Sequence, residues 1–385
     1  MRVLLISDPK ATSAAAVMSV HAGSYLDPDE LPGLAHFCEH MLFLGTSEYP
    51  EENSFRRFLS ARGGTLNAYT TEQDTTYFFD VSPSALQPAL ARFASFFKSP
   101  LFTASATERE LAAIESEDAK NRQSDAFRLN QLSKSFAAQG HPQRKFSTGN
   151  VQTLLVEPQR QGIDTRAALL KFFGRYYDAG LMALCISGQE PASTLLAWAE
   201  ESFGGVAARG SANPNLAWRG VNPYPPLLVR GEPQLLEAVP ILERRSLSVT
   251  WPVVFQSEEE RAEWVRCKPY GYVSYLLGHE GKGSLLSILK RKGWVDGVRA
   301  GLTREDDNFA SLRVSFDVTE AGLESREGIL EALYSVVRRL ERDIPEYLLK
   351  EYRELAEVRW RFRAKSPALG AALAAAQEMQ KGLGP

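Results

Sequence analysis

The chain has 385 residues, more than one typical domain holds, and its length suggests two or three domains. A hydrophobic fraction of 44% beside 24% charged residues belongs to a folded globular protein and argues against disorder. A net charge of −3 gives no electrostatic footprint for nucleic acid, and no run of about 18 apolar residues marks a membrane span.

The first residues, MRVLLISDPK, hold too short an apolar segment for a secretory signal. They read as a strand ended by the turn signal Ser7-Asp8-Pro9. A second strand is expected near 15–24 and a turn at 27–32. Residues 33–44 place Leu34, Phe37, Cys38, Met41 and Leu42 on one helical stripe, with Gly45 as the stop. A more polar helix is expected at 51–61. Strands at 65–71 and 75–81 flank Glu72-Gln73-Asp74 and predict a hairpin. A helix follows at 84–98. A long one opens at Thr103 or Ser105 and runs as far as Phe136. A loop at 140–150, a helix at 163–177, a strand at 182–188 and a helix at 191–203 complete the first domain, 1–205.

Residues 206–218, VAARGSANPNLAW, are the linker candidate. The second domain, 219–385, is expected to hold strands at 245–253, 295–301 and 309–318. Its helices fall at 269–278, 284–292, 325–342 and 345–363. The two halves share an order of strands and helices, which suggests a duplicated domain without a letter-level repeat. The last residues, SPALGAALAAAQEMQKGLGP, stop inside a helical pattern, so the second domain is expected to be incomplete at its C-terminal side. Three widely spaced cysteines, Cys38, Cys185 and Cys267, form neither a disulfide framework nor a Cys-x-x-Cys site. A reducing, cytoplasmic compartment is the expectation.

The chemistry concentrates in HFCEH. The chain has only five histidines, and His36 and His40 stand four apart with Glu39 between them. On a helix they project from one face and can grip one zinc ion. Glu39 can then take a proton from a zinc-activated water and pass it to the leaving amine. The order H-x-x-E-H is the inverzincin pattern. By chance it is expected on the order of 0.01 times in such a chain. A catalytic zinc needs a third protein ligand. His21, His141 and His279 have no partner at metal spacing, so a carboxylate from the helix near 105–125 is expected. Periodicity there leaves Glu108, Glu110, Glu115, Glu117 and Asp118 as candidates, with Glu110 and Glu117 on one face.

The run GLAHFCEHMLFLGTSEYPEENSF resembles the insulysin, nardilysin and pitrilysin family of zinc metallopeptidases. The resemblance continues through LNAYTTEQDTTYFFDVS, RELAAIESEDAKNRQSDAFRL, HPQRKFSTGN, ALLKFFGRYYDAGLMALCISG and YLLGHEGKGSLLSILKRKGWV. It implies an α+β fold of two homologous α/β-sandwich domains, of the insulysin and mitochondrial processing peptidase type. It implies one Zn2+ per chain held by His36, His40 and Glu117, with Glu39 as general base. Glu110 would orient a ligand from outside the metal sphere. Asn67, Ala68 and Tyr69 match an edge to which substrate adds as a strand. Phe43 and Phe127 resemble pocket-lining aromatics. Val298, Arg299, Ala300 and Gly301 match an exosite strand, although the family pattern there is more glycine-rich and uncharged.

The family has four homologous domains in two halves, and the resemblance covers the first half. An arginine and a tyrosine that complete the family's site belong to the second. The expectation is a zinc metalloendopeptidase, or its catalytic N-terminal half, acting on small peptides. The alternative is a non-catalytic or weakly active peptide-binding or assembly subunit, or a truncated fragment. Expected partners are peptide substrates and a C-terminal-half polypeptide or homodimer partner, with no nucleic acid and no membrane.

Overall fold

The computed structural model describes residues 1–208, 227, 234–242 and 244–382. From 209 onward the expected linker lies outside the described residues. The described residues fall into two compact units, one built mainly from 1–208 and 366–382, the other from 238–242 and 244–365.

The first unit is built on strands β1 (Arg2–Ser7), β2 (Ala14–Val20), β3 (Leu66–Thr70), β4 (Thr75–Val81) and β5 (Met182–Gly188), in the order β1-β5-β2-β4-β3. Only β1 and β5 run parallel; the other neighbours are antiparallel. β2 and β5 are buried along their whole length. Their continuous apolar runs are what strands covered on both faces require. One face carries the aromatic core. Phe93 meets Phe79 and Phe97 nearly edge-on, with ring centroids 5.1 and 5.2 Å apart. Each such pair contributes about 0.5–1.5 kcal/mol beyond its buried area.

The other face corrects the expected domain boundary. The last helix, Ala368–Gln380, packs on the first unit's sheet, with Ala372, Ala376 and Met379 against Val17, Ala183 and Cys185. Ala368, Ala372 and Ala376, spaced by four, give the helix a flat apolar stripe that lies close to strands. Gln380 Nε2 donates to the Ser19 carbonyl at 2.6 Å, and Arg2 donates to Gln380 Oε1 at 2.9 Å.

The long helix also differs from expectation. It runs over Ala104–Asn121, breaks, and resumes at Asp125–Lys134. Ser124 adopts an extended backbone (φ −113°, ψ 118°), and its amide closes a turn onto the Asn121 carbonyl. The stretch between, Arg122-Gln123-Ser124, has no apolar residue to hold another helical turn against the core.

The second unit has strands β6 (Ser246–Val254), β7 (Val295–Glu305) and β8 (Phe309–Val318), antiparallel in the order β6-β8-β7. Leu277, Leu289, Phe316, Ile329 and Leu333 form its core. Helix Glu258–Cys267 is an element that periodicity missed, because only Val265 of its ten residues is buried. In both units a hairpin leads into two long helices: β3/β4 into Leu86–Lys98 and Ala104–Asn121, and β7/β8 into Arg326–Arg342 and Glu346–Arg361. Among the described residues no helix is long and apolar enough to cross a membrane.

Candidate metal centre

The motif helix, Leu34–Met41, has only eight residues. That is too short to hold itself in water. Leu34, Phe37, Cys38 and Met41 are fully buried and anchor it. Asp27 satisfies its first amides, accepting from Gly33 N at 2.8 Å and Ala35 N at 2.7 Å. Gly33 opens the helix at φ +98°, and a Cβ there would come within 2.3 Å of the Gly149 Cα. Gly33→Ala is therefore expected to destabilise the fold by at least about 2 kcal/mol. The left-handed backbone alone costs about 1–3 kcal/mol and the backbone clash adds to it. The denaturant midpoint reads this, and an unchanged midpoint would contradict the close approach.

With the apolar stripe facing inward, His36, Glu39 and His40 are left for another surface. The His36 and His40 rings stand 4.7 Å apart between centroids at 85°. Glu117, from the acidic helix Ala104–Asn121, brings its Oε2 to 3.7 Å from His36 Nε2 and 3.6 Å from His40 Nε2. Among the described residues, His36, His40 and Glu117 form the one group of metal-ligating side chains that could hold an ion, with donor atoms within 4.8 Å of one another. Tetrahedral zinc with bonds of about 2.0–2.1 Å separates its ligand atoms by about 3.3 Å. Two imidazoles and one carboxylate are donors that zinc takes, and each Nε2 stands within a few tenths of an ångström of that spacing from the Glu117 oxygen.

The outer partners fix which nitrogen faces the centre. His36 Nδ1 lies 2.7 Å from the Thr148 carbonyl, which only accepts, so Nδ1 carries the proton and Nε2 presents its lone pair. His40 Nδ1 lies 3.1 Å from Glu110 Oε2, so Nδ1 donates there and Nε2 is the nitrogen turned to the centre. Burial opposes charge on His40, but the hydrogen bonds with Glu110 and Glu117 outweigh it and raise the imidazole to about 9. The hydrogen bond with His40 holds Glu117 below the ordinary carboxylate range, against partial burial. Glu39 is buried, and burial raises its carboxyl even though His36, Thr70 and His40 pull it down. Thr70 donates to Glu39 Oε2 at 2.5 Å. Thr70 comes from the end of β3, so that strand and the motif helix meet at Glu39.

Asn67, Ala68 and Tyr69 lie on β3, one of the two edge strands of the first sheet, with Asn67 exposed. The Tyr69 hydroxyl accepts from Gln377 at 2.8 Å. Phe43 is half-buried and joins the aromatic core through Phe96, at 5.6 Å between centroids. Phe127 is 53% exposed on helix Asp125–Lys134. Val298, Arg299, Ala300 and Gly301 belong to β7 in the second unit. There Val298 turns into the unit's core, and Arg299 pairs with Asp317 at 2.7 Å. Sequence reasoning missed Asp27, Thr70 and Thr148. Thr148 acts through its main-chain oxygen, which leaves no side-chain signal, and Gly149 beside it was the only hint.

Two sequence families match the chain: "Insulinase (Peptidase family M16)" over residues 2–140 and "Peptidase M16 inactive domain" over residues 165–355. The human protein named insulin-degrading enzyme is 40% identical over 366 residues, covering 95% of this chain and 35% of that protein. The Saccharomyces cerevisiae A-factor-processing enzyme is 38% identical over 369 residues, 95% of this chain and 35% of the relative. Insulin-degrading enzyme-like 2 of Arabidopsis thaliana is 39% identical over 367 residues, 95% of this chain and 37% of the relative. The chain thus spans little more than a third of these relatives' length. Among solved structures, a crystal structure of pitrilysin superposes with a TM-score of 0.84 at 28% identity, over 98% of this chain and 39% of that one. A protease from Helicobacter pylori, 17% identical with a TM-score of 0.76, shares the fold over 99% of this chain and 87% of its own.

Proposed function

The chain belongs to the insulinase family, peptidase family M16, and from that premise we propose that it is a zinc metalloendopeptidase, or the catalytic portion of one, cleaving small peptides. The observation that carries this reading is the set of three donors, His36 Nε2, His40 Nε2 and Glu117 Oε2, with the buried Glu39 carboxylate next to them and outside the set. These three side chains would hold the ion. When bound, zinc supplies Lewis acidity, polarising the scissile carbonyl and lowering the pKa of water.

The chain's own residues would position the ligands, move the proton and hold the substrate. Thr148 and Glu110 hold the two imidazoles in the tautomer that offers Nε2. Glu39 takes a proton from the attacking water on one carboxylate oxygen and returns it to the leaving nitrogen. Burial favours this, since it raises the carboxylate's affinity for that proton. Thr70 keeps the other oxygen engaged and so fixes which one is free. The outer edge of β3 would pair with the substrate's main chain beside Glu39, which tolerates many side chains. Phe43 and Phe127 would border the residues next to the cleaved bond. Val298, Arg299, Ala300 and Gly301 would anchor a substrate end by main-chain pairing. A second polypeptide, either a C-terminal half or another copy, would close over the substrate.

A quenched fluorescent peptide tests the reading. Peptide cleavage by the purified chain, weak where no second polypeptide closes over the substrate, should be lost to a chelator and regained on adding back zinc. Cleavage that survives chelation would reject the metal-dependent reading.

A further inference from the structure

The metal donors come from two helices whose ligand residues lie far apart in sequence, yet one Glu117 oxygen must meet both imidazoles. We infer that residues 148–151 form a clip that sets the spacing of the two ligand-bearing helices and so tunes the affinity of the centre; this rests on the metal reading above.

Three bonds from four consecutive residues support it. The Thr148 carbonyl accepts from His36 Nδ1 at 2.7 Å on the motif helix. On the acidic helix, the Val151 amide donates to Glu115 Oε2 at 2.8 Å, and Asn150 Nδ2 donates to Asp118 Oδ2 at 3.0 Å. Glu115 and Asp118, three apart, share a helix face and flank Glu117 in sequence. Between the two attachments Gly149 sits at φ +76° against Gly33. A Cβ on Gly149 would meet Leu154 Cδ1 at 2.7 Å and Gly33 Cα at 3.2 Å. The segment is therefore pressed onto Gly33, the residue that caps the motif helix, while it holds the acidic helix. Asn150 Oδ1 also accepts from the Thr153 amide at 2.9 Å, which stiffens the segment from within. A bridge this short has few internal degrees of freedom, so a break at either attachment loosens the distance between the donors. Ligand groups set loosely bind their metal less tightly.

Glu115→Ala and Glu115→Gln separate the bond from the charge. Both remove a negative charge near the centre, but glutamine keeps an oxygen for the Val151 amide. Zinc affinity by chelator competition, the d–d absorption of the cobalt-loaded chain and the melting temperature are read on the full 385-residue chain. The expected result is a loss of about tenfold or more in zinc affinity for Glu115→Ala, the usual scale for an outer partner. A shifted cobalt band should accompany it, with Glu115→Gln close to the parent in both readouts. Asn150→Ala, which cuts the neighbouring bond, should move the same way and replaces Glu115→Ala if that variant does not fold. Wild-type affinity in Glu115→Ala, or an equal loss in both Glu115 variants, overturns the clip. A parent chain that takes up no zinc overturns the metal reading itself and the clip with it.

Discussion

Glu117→Gln is expected to leave the chain unable to retain zinc through dialysis, with an affinity loss well beyond the 10–100-fold typical of outer partners. Glutamine fills the same space, so the acidic helix should fold as before. What changes is the donor. An amide oxygen carries no charge, and the centre would then hold a divalent ion with two neutral imidazoles. Glu117 Oε2 is the atom that stands 3.6–3.7 Å from both Nε2 atoms, so its charge is the one the centre loses. Metal content by atomic emission measures this, and one zinc per chain in Glu117→Gln would reject the assignment. Proton competition gives the parent chain a second signature. His40 is raised to about 9, and a proton on Nε2 occupies the position zinc needs. Apparent zinc affinity should therefore fall as pH drops below 9, by up to about tenfold per unit for this one proton.

How much of this was legible in the sequence depends on the residue. The stripe of Leu34, Phe37, Cys38 and Met41 was readable because burial repeats at the helical period, and it left His36, Glu39 and His40 over. The hairpin was readable because Glu72-Gln73-Asp74 interrupts two β-rich runs. The last helix was not assignable to a unit. Ala372 and Ala376 say that a partner surface lies close, but not which sheet supplies it. Helix Glu258–Cys267 was invisible because it buries almost nothing. In the site, composition narrowed the third ligand to five acidic residues of one helix, and the family resemblance singled out Glu117. Thr148 and Val151 escaped because main-chain groups hold their neighbours whatever the side chain. Thr70 escaped because one hydroxyl at a strand end looks like any other in a threonine-rich hairpin.

Glu39→Gln should keep zinc and lose hydrolysis, by about 10²–10⁴-fold, the range that general acid–base groups contribute. Glu39 stands outside the donor set, so retention of metal follows from geometry. Glutamine can still accept the Thr70 hydroxyl through its amide oxygen, so the side chain should stay where it is. A buried carboxylate is replaced by a neutral group of the same shape, so the melting temperature should hold or rise. The one property lost is the capacity to take a proton. Zinc content, melting temperature and fluorescent-peptide turnover on the same preparation isolate that property. A variant that cleaves like the parent would remove Glu39 from the chemistry. A parent that binds peptide as tightly as the variant and turns over nothing would make the chain a peptide-binding subunit. In that case the ordered imidazoles and buried carboxylate would serve a site whose reaction is completed by groups from another polypeptide.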